Sequence, residues 1–190
     1  MKVKNILVLS IGLLLAASLF SGCLGQNDDS PRIVEVADDE SGFPAVFVDD
    51  GNSFIFDYKV TGAEFVDSIS DTQFQKLITA ESGKFLVVKF SAINRSKVEE
   101  YGNKPDFKAK YNNEEFSPQA TASSAEELNE GVKEYAAEKV KSARKGKYVK
   151  VFEVTNYDES IQNFSFEIDG PGEADGAIEV DVAELNKGKL

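Results

Sequence analysis

From Ala45 onward the dominant period of apolar positions is two. Phe54, Phe56, Tyr58 and Val60 alternate with Ile55, Asp57, Lys59 and Thr61. Leu86, Val88, Phe90 and Ala92 alternate with Val87, Lys89 and Ser91. The same rhythm sets Phe107, Ala109 and Tyr111 against Asp106, Lys108 and Lys110, and Phe164, Phe166 and Ile168 against Asn163, Ser165 and Glu167. Ile178, Val180 and Val182 alternate with Glu179 and Asp181. Side chains on a strand point alternately to opposite faces, so each run predicts a strand with one dry and one wet face. Tyr148 to Val154 predicts a further strand, apolar on both faces. Turn signals fall between the runs at Asp49-Asp50-Gly51-Asn52, Asn112-Asn113 and Asp169-Gly170-Pro171-Gly172. Several such strands in one chain predict an all-β fold, an antiparallel sandwich.

One segment breaks the rhythm. Ser123 with Glu126 and Ser124 with Glu127 read as overlapping capping boxes. Leu128, Val132, Tyr135, Ala136, Val140 and Ala143 then recur at helical spacing. Glu126, Glu127 and Glu130 lie near the start and Lys139, Lys141, Arg144 and Lys145 near the end, an order that suits the helix dipole. The pattern predicts one inserted helix from about Ala125 to Arg144, with Gly131 as its weak point and Gly146 as its stop. Its apolar stripe either caps an edge of the sandwich or forms an interaction surface.

Composition narrows the chemistry. The 190 residues are 42% hydrophobic, enough for one core, and 14 Phe and 6 Tyr supply its bulk. The chain has no His, so imidazole-based triads and imidazole metal ligands are excluded. With a single Cys as well, a zinc site is not expected. A net charge of −12 argues against a nucleic-acid surface, which needs clustered Lys and Arg.

The N-terminus carries a different signal. After Met1-Lys2-Val3-Lys4, an apolar run from Ile6 to Phe20 has the length of a secretory h-region, short of the roughly 20 residues that span a bilayer. Leu19-Phe20-Ser21-Gly22-Cys23 then resembles a lipobox, and the sole Cys of the chain stands at its last position. The resemblance implies a signal peptide over residues 1–22 and a diacylglyceryl group on Cys23; Cys23-Leu24-Gly25 after Ser-Gly also resembles archaeal surface lipoproteins. The alternative is an ordinary cleaved signal that leaves Cys23 as a free thiol. Residues 23–42 follow as an acidic tether, including Asp28, Asp29, Asp38, Asp39 and Glu40, with Ile33 to Val36 as a possible short strand. Extended at roughly 3.3 Å per residue, the tether reaches up to about 60 Å. The β-sandwich domain occupies residues 43–190.

The order of strand motifs carries a second resemblance. Phe85 to Asn94 is followed by Asp106 to Tyr111, then by Gly146 to Val154 and by Phe164 to Ile168. This order resembles the telokin-like extracellular domains of microbial lipoproteins, over roughly Phe54 to Ile168. The resemblance implies an immunoglobulin-like sandwich behind a lipobox and an acidic tether, and brings no catalytic residues. The inserted helix and Lys145-Gly146, in place of Pro-Gly, depart from the pattern.

Few residues present themselves as sites. Asp169, Glu173 and Asp175 lie on a glycine-rich stretch and are the carboxylates best placed for Ca²⁺, which takes six to eight oxygens; a solvated hairpin turn is the alternative. Asp49, Asp50 and Asn52 fit a turn as they stand. Asn94-Arg95-Ser96 and Asn163-Phe164-Ser165 are glycosylation sequons; Asn163 should face outward, and Asn94 is placed either to carry a glycan or to cap its turn. No cleft for a carboxylate pair is predicted, so no catalytic residue is assigned.

The expectation is a non-catalytic, lipid-anchored module on the extracellular face of the cell membrane, without cofactor or nucleic acid, contacting an envelope protein or a glycan. A small-ligand or Ca²⁺-binding accessory lipoprotein is the alternative, and a carboxylate-based hydrolase comes last.

Overall fold

Alternation becomes antiparallel pairing in a computed structural model that describes residues 43–49, 52–102, 105–131, 139–141, 144–169 and 176–187, with side chains from Phe54 onward. The strands are β1 Phe43–Asp49, β2 Asn52–Val66, β3 Ser68–Asp71, β4 Lys76–Thr79, β5 Lys84–Asn94, β6 Asp106–Tyr111, β7 Glu114–Phe116, β8 Lys145–Val154, β9 Asn163–Asp169 and β10 Gly176–Asp181. Helices α1 Ala120–Asn129 and α2 Val182–Leu185 complete the described elements. One sheet runs β1-β2-β5-β8, a second runs β10-β9-β6-β7, and β3-β4 form a two-stranded ribbon. All pairings are antiparallel. The fold is all-β, and every strand predicted from alternation is present.

The inward faces of the two sheets share one core. Phe56, Tyr58, Leu86, Val88, Phe90, Tyr148 and Phe152 meet Phe107, Ala109, Tyr111, Phe164, Phe166 and Ile168 across it. A β-bulge between Val60 and Gly62 shifts the phase of β2, so Ala63 and Phe65 turn inward after it. Gly62 is the residue that marks the irregularity in the sequence.

A third layer explains why β8 is apolar on both faces. Phe85, Val87, Val149 and Val151 point away from the second sheet and pack against Ile69 of the ribbon and Ala122 and Ala125 of α1. The helix is also bonded to the strand. Gln119 N–H donates to the Val151 carbonyl at 2.7 Å, and Val151 N–H donates to Ser123 Oγ at 3.0 Å. Two edge groups of β8 that lack a neighbouring strand are thereby satisfied.

The helix corrects the prediction of 125–144. It begins at Ala120, because Gln119 is its N-cap and accepts from Ala122 N–H at 2.6 Å. Ser123 is inside the helix, buried, and bonded to β8 instead of capping; Ser124 is exposed. The helix ends at Asn129 because Gly131 adopts φ +65, the left-handed conformation that stops helices. The helical stripe fails at Val140, which exchanges two backbone hydrogen bonds with Glu100 and enters the core. Residues 132–138, with Val132, Tyr135 and Ala136, and residues 142–143, with Ala143, lie outside the described residues. Gly146 is not a helix stop but a residue of β8, where an added Cβ would meet Tyr148 Oη at 2.6 Å.

Three further elements had no clear pattern. The β3-β4 turn contains neither Gly nor Pro. Asp71 Oδ1 organises it by accepting from Gln73 and Phe74 N–H at 3.1 and 3.0 Å, and Gln75 takes φ 50. The three-residue β7 is set by Asn112 and Asn113 at φ 47 and 64, the mirror-image turn suited to a hairpin. The strand predicted through Val182 stops at Asp181, whose carboxylate caps α2 through Glu184 N–H at 3.0 Å.

The different roles of the paired serines give a test. Ser123→Ala should lower stability by about 1–3 kcal/mol, because it strips the buried Val151 N–H of its acceptor. Ser124→Ala should change it by less than about 0.5 kcal/mol. Urea unfolding of both variants measures the difference.

Candidate functional site

The half of the first sheet's outer face that α1 leaves uncovered is polar. Register places Lys59 beside Ser91 and Ser91 beside Lys147, so one row crosses β2, β5 and β8 as Lys-Ser-Lys. Strands lie about 4.8 Å apart, which sets the two lysine backbones roughly 10 Å from each other. Ser91 is 2% exposed, and its Oγ has no hydrogen-bond partner. The row beyond holds Lys89, whose Nζ lies 2.8 Å from Glu130 Oε1 and 3.5 Å from Glu64 Oε1. Burial pulls the Lys89 pKa down, but the Glu130 hydrogen bond and the charges of Glu130, Glu64 and Glu126 outweigh it, and the net shift is upward. The row on the other side holds Asp57, Ile93 and Lys145.

A cavity of about 300 Å³ opens on this face, lined by Thr61, Lys89, Ser91, Glu130, Lys145 and Lys147 among others. Lys89 is matched by carboxylates. Neither Lys59 nor Lys147 forms an ion pair among the described residues. Ser91 is thus an unpaired hydroxyl between two lysines of the neighbouring strands, and the carboxylate in the cavity lining, Glu130, is engaged by Lys89.

The sequons separate. Asn163 is exposed on the wet face of β9, as alternation predicts. Asn94 is 0% exposed. Its Nδ2 donates to the Val98 and Val140 carbonyls, both at 2.7 Å, and its Oδ1 accepts from Ser96 N–H at 2.8 Å. Of the two readings of Asn94, these contacts are those of the turn cap: its amide nitrogen donates to two carbonyls and the side chain is buried. Neighbouring groups extend this network. Ser96 Oγ accepts from Ile55 N–H at 2.8 Å, and Arg95 Nε donates to Asp57 Oδ2 at 2.5 Å. Tyr58 Oη donates to the Gly102 carbonyl at 2.8 Å, while Tyr148 Oη accepts from Gly102 N–H at 3.2 Å. An added Cβ on Gly102 would meet Tyr148 Oη at 2.7 Å, so the close approach requires glycine.

Of the carboxylates considered for Ca²⁺, Asp169 is exposed, with Lys108 Nζ 3.9 Å from its Oδ2. Glu173 and Asp175 lie outside the described residues. So do Cys23, residues 1–42 with the signal and tether, and Asp50; Asp49 and Asn52 close the β1-β2 pairing. Sequence reasoning missed the Ser91 row. Ser91 reads as an ordinary wet-face residue of β5, and only strand register brings Lys59 and Lys147 to its sides.

No family model matches the chain, and no curated protein matches it. A solved structure does: the crystal structure of a conserved hypothetical protein from Bacillus anthracis. It is 16% identical, covers 65% of this chain and 87% of that one, and superposes with a TM-score of 0.51. The likeness is one of fold.

Two predictions follow from the buried polar groups. Asn94→Ala should destabilise by about 2–3 kcal/mol, since it orphans two buried carbonyls and the Ser96 N–H, whereas Asn163→Ala should be near neutral; thermal melts compare them. Burial pushes the Tyr148 hydroxyl from 10.0 up to about 12, against a smaller opposing pull from the Gly102 hydrogen bond. Burial pushes Tyr58 well up too, with the Tyr148 charge adding to it. A raised folded pKa means stability intact below pH 10 and lost as pH rises from 10 toward 12. Tyr148→Phe should lower stability at neutral pH yet flatten this alkaline decline, read from melts between pH 8 and 12.

Proposed function

We propose that the protein is a lipid-anchored, non-catalytic binding module on the extracellular face of the cell membrane, contacting an envelope protein or a glycan. The observation that carries this reading is the position of the sole Cys: Cys23 ends Leu19-Phe20-Ser21-Gly22-Cys23, behind an apolar run and ahead of an acidic spacer. Cleavage before Cys23 removes Lys2 and Lys4 and no acidic residue, so the mature chain is two units more acidic than −12. That charge disfavours adhesion to anionic lipid through the protein surface and leaves attachment to the acyl chains.

We infer further that the domain is immunoglobulin-like, of the telokin-like kind. Support comes from the pairing order. β2, β5 and β8 correspond to strands A, B and E of that architecture, and β6, β7, β9 and β10 to C, C′, F and G. The chain crosses between sheets from β5 to β6 and from β8 to β9, as B to C and E to F do. Helix α1 occupies the connection where strand D would lie beside E, and its bonds to Val151 take over part of that strand's pairing.

Detergent phase partitioning tests the anchor. The wild-type protein should enter the detergent phase and carry a diacylglyceryl mass on Cys23, and Cys23→Ser should stay aqueous after signal cleavage. A Cys23→Ser protein that is cleaved yet still partitions into detergent would sink the anchoring reading. Crosslinking in cells, followed by mass spectrometry, then identifies the neighbour.

A further inference from the structure

We propose that the cavity floored by Ser91 binds an oxyanion, a phosphate or carboxylate group, with the Ser91 hydroxyl as hydrogen-bond donor, Lys147 as the charge in its lining and Lys59, beside Ser91 by register, as a second charge at its margin. This gives the binding-module reading a ligand class and so rests on it.

Three observations carry the inference. First, Ser91 Oγ is buried without a partner. A buried unsatisfied hydroxyl costs about 1–3 kcal/mol, and alanine would fit the same place in β5 without that cost. A bound acceptor removes the cost. Second, the register of three adjacent strands puts a lysine residue on each side of Ser91, and Lys147 is in the lining of the cavity. Like charges gathered on one sheet face oppose the pairing of the strands that carry them, and a shared anion reverses the sign of that interaction. Third, this happens in a chain with 33 acidic and 21 basic residues. Lys59, Lys89 and Lys147 nonetheless share one face, where Glu64 and Glu130 neutralise Lys89 and the Asp57 carboxylate is engaged by Arg95. The surplus of positive charge is local, while the protein as a whole repels anions. Only a site with short-range donors overcomes that repulsion.

The cavity, about 300 Å³, lies at the small end of ligand sites. It suits a single oxyanion, free or borne on one sugar ring, and not a long chain. Lysine ammonium groups act as point charges without the planar fork of arginine, so the site should tolerate tetrahedral and planar oxyanions alike. Salt should weaken binding, since the lysines are exposed to solvent.

The test is titration calorimetry of the purified mature protein with inorganic phosphate and, separately, with glucuronate, at low ionic strength and pH 7. The expected result is one saturable site for at least one probe, with Kd in the millimolar range or tighter. Phosphate alone would assign the site to a free or lipid-borne phosphate, and glucuronate to the carboxylate of an acidic glycan. Ser91→Ala should weaken binding about tenfold, the worth of one hydrogen bond to a charged group. The same variant should melt no lower than wild type without ligand, because no hydrogen bond is lost. Lys59→Gln with Lys147→Gln should abolish binding, while Lys108→Gln, on the other sheet, should leave it intact. Absence of saturable heat with both probes up to 20 mM would overturn the proposal. So would equal weakening by Lys108→Gln, which would show a net-charge effect, or full binding by Ser91→Ala. None of these outcomes bears on the lipidation of Cys23, so failure here is distinguishable from failure of the surface-module reading.

Discussion

The ring of Phe90 is the contact on which the two-sheet arrangement depends. It lies 4.8 Å from Phe107 and 5.1 Å from Phe166 in the second sheet, and 5.5 Å from Tyr148 and 6.2 Å from Tyr58 in its own. Phe107 and Phe166 stack in turn at 5.4 Å. Each such pair adds about 0.5–1.5 kcal/mol beyond the area it buries. Without a disulfide available to the single Cys, this aromatic cluster is what fixes the sheets on each other. It also fixes the site: with Phe90 turned inward, Ser91 must face outward, between Lys59 and Lys147.

The same cluster positions the loop after β5. Tyr58 and Tyr148 carry their rings in the core and their hydroxyls at its rim, where both hold Gly102. Asn94, Ser96 and Glu100 satisfy the backbone on the way there, with Val140 as the shared partner of Asn94 and Glu100. A loop this polar stays folded because nearly every buried donor and acceptor is matched. Among the described residues, Ser91 Oγ and Asn156 Oδ1 are the buried side-chain atoms left without a match, and of the two Ser91 lines a cavity.

Most strands were legible because each needs only a two-residue alternation, a local property of the chain. The predicted turn at Asn112-Asn113 was legible for a similar reason, since Asn tolerates positive φ. The helix was half legible. The sequence pattern offered Ser123 and Ser124 as caps, but β8 needed a hydroxyl at Val151 and recruited Ser123, which left Gln119 to cap a helix that starts earlier. Val140 sat in register with a helical stripe and was claimed by Glu100 instead. The β3-β4 ribbon gave no signal, since its turn rests on the Asp71 carboxylate where glycine or proline usually stands. It carries the exposed Phe74 and Leu77, at 68% and 64%, on the outside of the molecule.

The sequence by itself determined most of the strands, their inward faces and the exclusion of imidazole chemistry, because alternation and composition are properties of the chain alone. The alkyl-rich N-terminus and the place of Cys23 are likewise a matter of order along the chain. Only the tertiary structure decided which strands pair, and therefore which residues stand side by side. Lys59, Ser91 and Lys147 are far apart in sequence and become neighbours through two strand registers. It also decided that the outer face of β5 and β8 would be half covered by α1 and half open. The physical reason is that burial and hydrogen bonding across strands are satisfied by the whole fold at once. A residue's face can be read locally, but its company cannot.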